Sequence, residues 1–354
     1  MSSEDSFPVS KGYVGKPSPR RLQQLLADSF GAASDRVIVG PGPGLDAAVL
    51  ALDEERVMAI AEDPIFPAPG LPLEIMGQFT VHIGASDVAV TGVTPTYMTY
   101  TLLLPRGCPE SDARAIIRAI SKHAAHLDIT IVGGHTGWYD AVTIPTVGGV
   151  AVWGFADRDR WVSPGGAQDC DVILLTKGPS IEAAALLAIL YQDRLRKELG
   201  DEIVDRACAR ADQITVVSDA LTAFRAGGVS AMHDATEGGV LGGLWEMSIA
   251  SGLGLEADLD AVDVPDDIAR VAAALDFDPW RAISEGTLLA AVRPDAVAQV
   301  ASEWQNAGIQ SWQIGRFTAL RSTVTIHRDG KTTEMTEPGE DPFWRLFFAG
   351  IASP

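Results

Sequence analysis

Four aspartates, Asp46, Asp63, Asp87 and Asp234, stand beside small residues, and three of them border Gly- or Pro-rich turns at the ends of apolar runs. An unpaired carboxylate in apolar surroundings is costly, so each needs an N–H cluster, a cation or a metal ion. The fullest of these turns is His233-Asp234-Ala235-Thr236-Glu237-Gly238-Gly239, just ahead of the helical run Val240–Ala250. Asp234 or Thr236 is placed to cap that helix by accepting a backbone N–H. Gly238 and Gly239 have no Cβ, so another group can approach the backbone closely. The unpaired N–H groups of a first helical turn suit a phosphate.

Length and composition set the frame. At 354 residues the chain has room for two domains, each with its own core. No apolar run reaches the length of a membrane span. The start, Met1-Ser2-Ser3-Glu4-Asp5, is polar and acidic, unlike a signal peptide. Cys108, Cys170 and Cys208 form no CxxC pair, which argues against a disulfide framework or a cysteine-ligated zinc and for a reducing cytoplasm. A net charge of -20 speaks against nucleic-acid or anionic-membrane partners. Lys is scarce beside Arg, and such an acidic surface suits a high-salt cytoplasm, where screening relieves self-repulsion.

Along the chain, residues up to about Pro17 read as a mobile arm, followed by a short helix Arg20–Phe30. Gly40-Pro41-Gly42-Pro43-Gly44 delivers a buried strand, Leu45–Ala51, with Asp46 at its mouth. Val57–Ala61 is the next strand, ending at Glu62-Asp63-Pro64. Leu73–Val90 reads as a helix whose small residues include Asp87, an unusual acid on that face. Tyr97–Leu104 alternates as a strand, and Asp112–His126 has the period of a surface helix. Ile129–Val132 is a strand ending in a Gly133-Gly134-His135-Thr136-Gly137 turn, a plausible ligand loop. After a polar boundary at Asp157–Gly166, Asp171–Thr176 is a strand, and Ser180 is placed to cap a helix from Ile181. Glu198–Arg210 and Ser218–Ala226 are helical. Leu253–Leu259, Thr287–Val292, Ser311–Phe317 and Ser322–His327 are strands, Ile268–Leu275 and Asp295–Ala307 are helices, and a polar tail closes the chain. Strands and helices mix without a strict βαβ rhythm, so the class is α+β. His123 and His126, three apart on a helix, are expected at the surface.

Several carboxylates around a phosphate make sense only with bridging cations. Mg²⁺ takes oxygen ligands and binds through a few carboxylates plus substrate phosphates. The pattern predicts a Mg–nucleotide site assembled from turns distant in sequence.

Motifs point the same way. Gly44-Leu45-Asp46-Ala47-Ala48-Val49 resembles the G-D-D-A-A-V motif of the aminoimidazole ribonucleotide (AIR) synthetase-like superfamily. Ser86-Asp87-Val88-Ala89 with Gly92-Val93-Thr94-Pro95 resembles its N-D-[IV]-A-x-x-G-A-x-P motif. Val132-Gly133-Gly134-His135-Thr136 resembles V-G-G-[DE]-T, and the Asp234 turn resembles D-x-T-x-G-G. Ala250-Ser251-Gly252-Leu253-Gly254 and Ser284-Glu285-Gly286-Thr287-Leu288 are similar to patterns of HypE-type hydrogenase maturation proteins.

The resemblance implies an arm and helix over 1–33, an N-terminal domain over 34–160 forming a β-barrel across a homodimer, and a ferredoxin-like α/β domain over 161–345. It places ATP in the cleft between domains, with Mg²⁺ on Asp46, Asp63 and Asp87. Gly44, Gly133, Gly134, His135, Thr136, Gly238 and Gly239 would contact the nucleotide, and Glu285, Asp234 and His233 would handle protons. In this family ATP activates an amide or acid oxygen. Departures stand out: Leu45 replaces the first acid of G-D-D, His135 replaces the acid of the Gly-Gly turn, and the terminal cysteine of HypE tails is absent, with Cys108, Cys170 and Cys208 expected inside the fold. The reading is therefore a HypE-like, ATP-dependent enzyme acting on a separate small-molecule or protein-tail substrate. Its rivals are an AIR synthetase, a thiamine-monophosphate kinase, and a nucleotide-binding dimer without catalysis.

Overall fold

A computed structural model of the chain describes residues 15–17, 19–27, 29–66, 70–319 and 323–352. The expected arm lies almost wholly outside them, as do Ser353 and Pro354. Helix α1 (Pro19–Leu26) stops at Leu26 rather than Phe30.

The first sheet contains β1 (Val37–Val39), β2 (Ala48–Ala51), β3 (Arg56–Ile65), β4 (Tyr97–Pro105), β5 (Thr130–Tyr139) and β6 (Thr146–Asp157), in the order β1-β2-β3-β6-β4-β5. Neighbours are antiparallel except β4 and β5, which run parallel. Two helices pack together beside the sheet, α2 (Leu73–Ala89) and the β4–β5 crossover α3 (Glu110–His126). α2 is buried from Met76 to Ala89 at every position but Ile83. Its sequence has no polar face, so it is stable only when covered on all sides. Here β3, β6, α3 and the second half of the chain cover it. His82 of α2 meets His123 of α3, Nε2 to Nδ1 at 3.2 Å, and burial pushes His82 down to about 4. His126 is exposed, while His123 is half-buried.

Two expectations change in this sheet. β3 runs on to Ile65, so Glu62 and Asp63 lie within the strand instead of beyond it. The Gly133–Gly137 segment is no turn; it is the middle of β5, the outer strand. Gly134 has φ 141° and faces Tyr100 of β4, whose carbonyl oxygen would lie 2.2 Å from any Cβ there. The glycine lets the two strands close up, and the parallel ladder continues to Tyr139.

The second half adds helices α4 (Ile181–Leu190), α5 (Gln192–Leu199), α6 (Asp201–Ala209), α7 (Val217–Ala226), α8 (Gly239–Ser251), α9 (Asp266–Leu275), α10 (Val297–Asn306) and α11 (Pro342–Ala352). Its sheet contains β7 (Val172–Thr176), β8 (Val229–Asp234), β9 (Gly254–Asp258), β10 (Leu288–Val292), β11 (Ser311–Thr318), β12 (Val324–Arg328) and β13 (Lys331–Met335), ordered β13-β12-β9-β11-β7-β10-β8. Alternate residues of a strand face opposite sides. Ile173, Leu175, Leu289 and Ala291 accordingly face a core shared with α8, while Leu174, Leu288, Ala290 and Val292 face one shared with α4, α7 and α10. That second core is continuous with the core of the first sheet, so the two halves are docked through apolar contact.

The expected helix Glu198–Arg210 divides at Gly200 into α5 and α6. Ser180 is no N-cap: its Oγ donates to the Pro279 carbonyl at 2.6 Å and makes no cap bond. The expected polar tail is instead β13 and the apolar helix α11, which packs on α4. Tyr191 fixes α11 by donating its hydroxyl to the Leu346 carbonyl at 2.7 Å. Cys170 is exposed, and Cys108 and Cys208 are partly so, contrary to the expectation that all three lie deep inside. Among the described residues, no helix is long and apolar enough to cross a membrane.

Candidate functional site

The site forms where the mouth of β2, the end of β3, the last turn of α2 and the end of β8 meet. Gly44 turns the chain at φ 71° ahead of β2, and a Cβ there would lie 2.6 Å from the Glu246 carbonyl of α8. That close approach sets Asp46 against the end of β8. His233 Nδ1 is 2.7 Å from an Asp46 carboxylate oxygen, and His233 Nε2 is 2.9 Å from Glu246. Burial opposes the imidazolium, but the two carboxylates outweigh it and hold His233 well above its ordinary value. Burial likewise pushes Glu246 up, yet its hydrogen bond to His233 leaves it below the usual range. His233 is therefore a clamp between Asp46 and Glu246, with both ring nitrogens occupied.

Asp234 follows on β8 and is fully buried. Neither of its carboxylate oxygens has a hydrogen-bond partner among the described residues. Burial, then the charge of Asp46, pushes it up to about 7. Asp87 is raised well above its ordinary value by burial, by the charges of Asp63, Asp234 and Asp46, and by a hydrogen bond with Asp63. Glu285 Oε2 is also buried without a partner, and burial with the charges of Asp234 and Glu182 raises Glu285. Glu182, the lone acid of α4, is pushed by burial up to about 8. Buried polar atoms in native proteins are almost always paired, so this concentration of orphaned oxygens marks a place built for something else.

The expected cap of α8 is not made by Asp234 or Thr236. Gly238 is the N-cap, and its N–H is taken at 2.8 Å by Asp341, which also accepts from the Phe343 N–H at 2.8 Å. Asp341 thus joins the start of α8 to the start of α11 and leaves the Asp234 carboxylate available.

A cavity of about 830 Å³ opens onto this cluster. Gly44, Asp46, Asp63, Asp87, Glu237, Glu246 and Glu285 form its acidic side. Phe79, Ile83, Phe343, Trp344 and Phe347 form an apolar side, with α11 supplying the last three. His233 and Asp234 stand behind the acidic wall, and Gly238 and Gly239 lie at the start of α8 beyond the lining residues.

Gly133, Gly134, His135 and Thr136 are not brought to this cavity. In the sheet, Gly134 pairs with Tyr100, Tyr100 with Val150 and Val150 with Asp63. Three strand spacings, about 14 Å, therefore separate it from the acidic wall. His135 is exposed and stacks on Tyr139 with ring centroids 5.9 Å apart.

Asp46, His233 and Asp234 place one ligand atom each within 4.8 Å of one another. The imidazole is committed to its two carboxylates, so oxygen donors remain: Asp46 and Asp234, with Asp63 and Asp87 beside them. An all-oxygen, strongly anionic set suits a hard divalent cation over zinc or copper.

The sequence reading passed over Glu246, Glu182, Glu237, Asp341 and Lys16. Glu246 and Glu182 carried the signal that exposed Asp87, an acid set among apolar and small residues of a helix. Lys16, in the segment taken for an arm, carried none.

Residues 44–154 match AIR synthase related protein, N-terminal domain, and residues 170–327 match AIR synthase related protein, C-terminal domain. The chain is 29% identical over 278 residues to carbamoyl dehydratase HypE of Cupriavidus necator, spanning 77% of this chain and 75% of that one. It is 28% identical over 296 residues to carbamoyl dehydratase HypE of Escherichia coli, spanning 81% of each. A solved structure of hydrogenase maturation protein HypE in complex with ATP superposes with a TM-score of 0.64 at 18% identity, over 91% of this chain and 96% of that one. Asp46, Asp63 and Asp87 fall in the first matched segment, and His233, Asp234, Glu246 and Glu285 in the second. Lys16 and α11 lie outside both. With both halves matched and its acidic cleft drawn from each, the chain belongs to the AIR synthase related proteins.

Proposed function

We propose that this chain is an ATP-dependent, Mg²⁺-assisted, HypE-like enzyme that activates an amide or acid oxygen of a substrate entering the cleft. The observation that carries this reading is the set of buried, unpartnered carboxylate oxygens on Asp234 and Glu285 beside Asp46, Asp63 and Asp87. A triphosphate would be repelled by such a wall alone. Magnesium supplies the charge neutralisation that lets phosphates and carboxylates share the cleft. Asp46, Asp63 and Asp87 would hold it, with Asp234 behind them. His233 orients Asp46 and offsets part of the burial that raises its carboxyl above the usual range. Glu285, raised above its ordinary value by burial and the neighbouring acids, is placed to give or take a proton at the substrate oxygen. The apolar wall from α11 excludes water from the same space. The HypE relatives and the ATP complex of a HypE protein support the activity class.

The finer architecture belongs to the same proposal. The N-terminal domain covers 34–160 and the C-terminal, ferredoxin-like domain 161–345. The outer strand β5 exposes Val132, Trp138 and Tyr139 and pairs across a homodimer as a barrel. The substrate is a small molecule or a protein tail, and the compartment is the cytoplasm.

Calorimetric ATP titrations with and without Mg²⁺, followed by product analysis, test this reading. Mg²⁺-dependent binding and turnover that both fall in Asp87→Asn are expected. Nucleotide binding indifferent to Mg²⁺ and to Asp87 would overturn it.

A further inference from the structure

Among the described residues, Lys16 is the one cationic side chain that lines the acidic cavity. Its backbone N–H donates to Glu237 Oε1 at 2.8 Å, and its Nζ donates to Thr236 Oγ1 at 3.2 Å. Both acceptors belong to the turn between β8 and α8, next to Asp234. The ammonium also feels Glu246, Asp63, Asp87 and Glu237; burial works against its charge, but these carboxylates outweigh burial and raise it. Lys16 is solvent-accessible, as the wall of an open cavity is, and is reached from a segment outside both matched family domains.

We propose that Lys16 is a catalytic residue of this cleft: it binds the terminal phosphate of the nucleotide and, before nucleotide and metal arrive, serves as the counter-ion of the carboxylate cluster. The proposal rests on the nucleotide reading given above. An ammonium is a compact point charge on a flexible stem, suited to leaving one set of oxygens for another. A divalent ion and Lys16 compete for the same carboxylates, since each satisfies the negative charge the other would. With a divalent ion held by the aspartates, Lys16 would no longer be needed as their counter-ion and its ammonium would be available to bind the terminal phosphate. Charge on that phosphate is greatest as its bond loosens, which is where a placed cation contributes most.

This gives effects of opposite sign from one substitution. In the full chain, Lys16→Met should bind Mg²⁺ alone about tenfold more tightly, because a competing cation is gone. The same variant should bind Mg²⁺ with a non-hydrolysable ATP analogue about tenfold more weakly, and Mg²⁺ with ADP nearly as wild type does. Lys16→Arg should restore most of the analogue affinity. Thermal melting of each variant confirms that it is folded, and Lys16→Gln, which retains hydrogen bonding without charge, should behave as Lys16→Met does. Unchanged Mg²⁺ affinity in Lys16→Met overturns the counter-ion role, and an unchanged preference for the ATP analogue over ADP overturns the phosphate role. Wild-type protein that binds no nucleotide would overturn the nucleotide reading and the phosphate role together, while the metal titration would still decide the counter-ion role.

Discussion

His233 of the second sheet reaches Asp46 at the mouth of β2, Nδ1 to carboxylate oxygen at 2.7 Å, across 187 positions of sequence. Its other nitrogen holds Glu246 at 2.9 Å. Replacing the ring by one of similar shape without nitrogens, His233→Phe, leaves two carboxylates without their shared donor. Removing one partner of a buried charge network costs about 3–5 kcal/mol. Urea denaturation should show a loss of that order, and Mg²⁺-dependent nucleotide binding should weaken with it.

Acid stability should be unusual. Asp234, pushed up to about 7, and Glu182, pushed up to about 8, keep protons in the fold that the unfolded chain releases near its ordinary carboxylate values. Folding therefore takes up protons, and the stability these groups contribute is complete below their unfolded values and is lost as pH rises through about 7 to 8. The melting temperature of the metal-free protein should fall between mildly acidic and mildly basic buffer. Millimolar Mg²⁺ should flatten that fall, because the cation replaces the proton. A melting temperature that rises with pH over this range would contradict the assignment.

Asp87→Asn removes a charge from the acidic wall but keeps the shape of α2. Turnover should fall on the order of 100-fold, with the concentration of Mg²⁺ needed for half-maximal rate rising, since a carboxylate that fixes a metal is difficult to replace with a neutral amide. Stability should rise slightly, because a crowded buried acid has been neutralised.

Gly44→Ala tests the turn that carries Asp46. The new methyl would meet the Glu246 carbonyl at 2.6 Å, and the backbone there has φ 71°. A cost of about 1–3 kcal/mol and weakened metal binding are expected. Gly31→Ala is the matched comparison: its φ is 72°, but nothing lies within 4 Å of the added methyl. It should cost only the backbone strain, about 1 kcal/mol, and leave metal binding unchanged.

Much of this site could be read from the chain because an acid in an apolar run violates a local rule. Asp46, Asp87 and Asp234 each broke it, and the structure brings all three to one place. Glu182 and Glu246 broke it equally, within helices as Asp87 is, but neither falls in one of the motifs that marked the other acids. Gly133-Gly134 misled for a related reason: paired glycines permit a turn, yet they also permit two strands to approach, and only the partner strand decides between these outcomes. The C-terminal helix was hidden by the polar run ahead of it, Glu334–Asp341, although Phe343, Trp344 and Phe347 have helical spacing. Lys16 was invisible, since one lysine near an end says nothing until its neighbours are known.

The division of the carboxylates between two separately wound sheets has a consequence for synthesis. While the chain emerges from a ribosome, Asp46, Asp63 and Asp87 are complete long before His233, Asp234 and Glu285 exist. During that interval the cluster lacks His233 and the buried, unpartnered oxygens of Asp234 and Glu285. The full demand for positive charge exists only where the core shared by both halves holds their acids together.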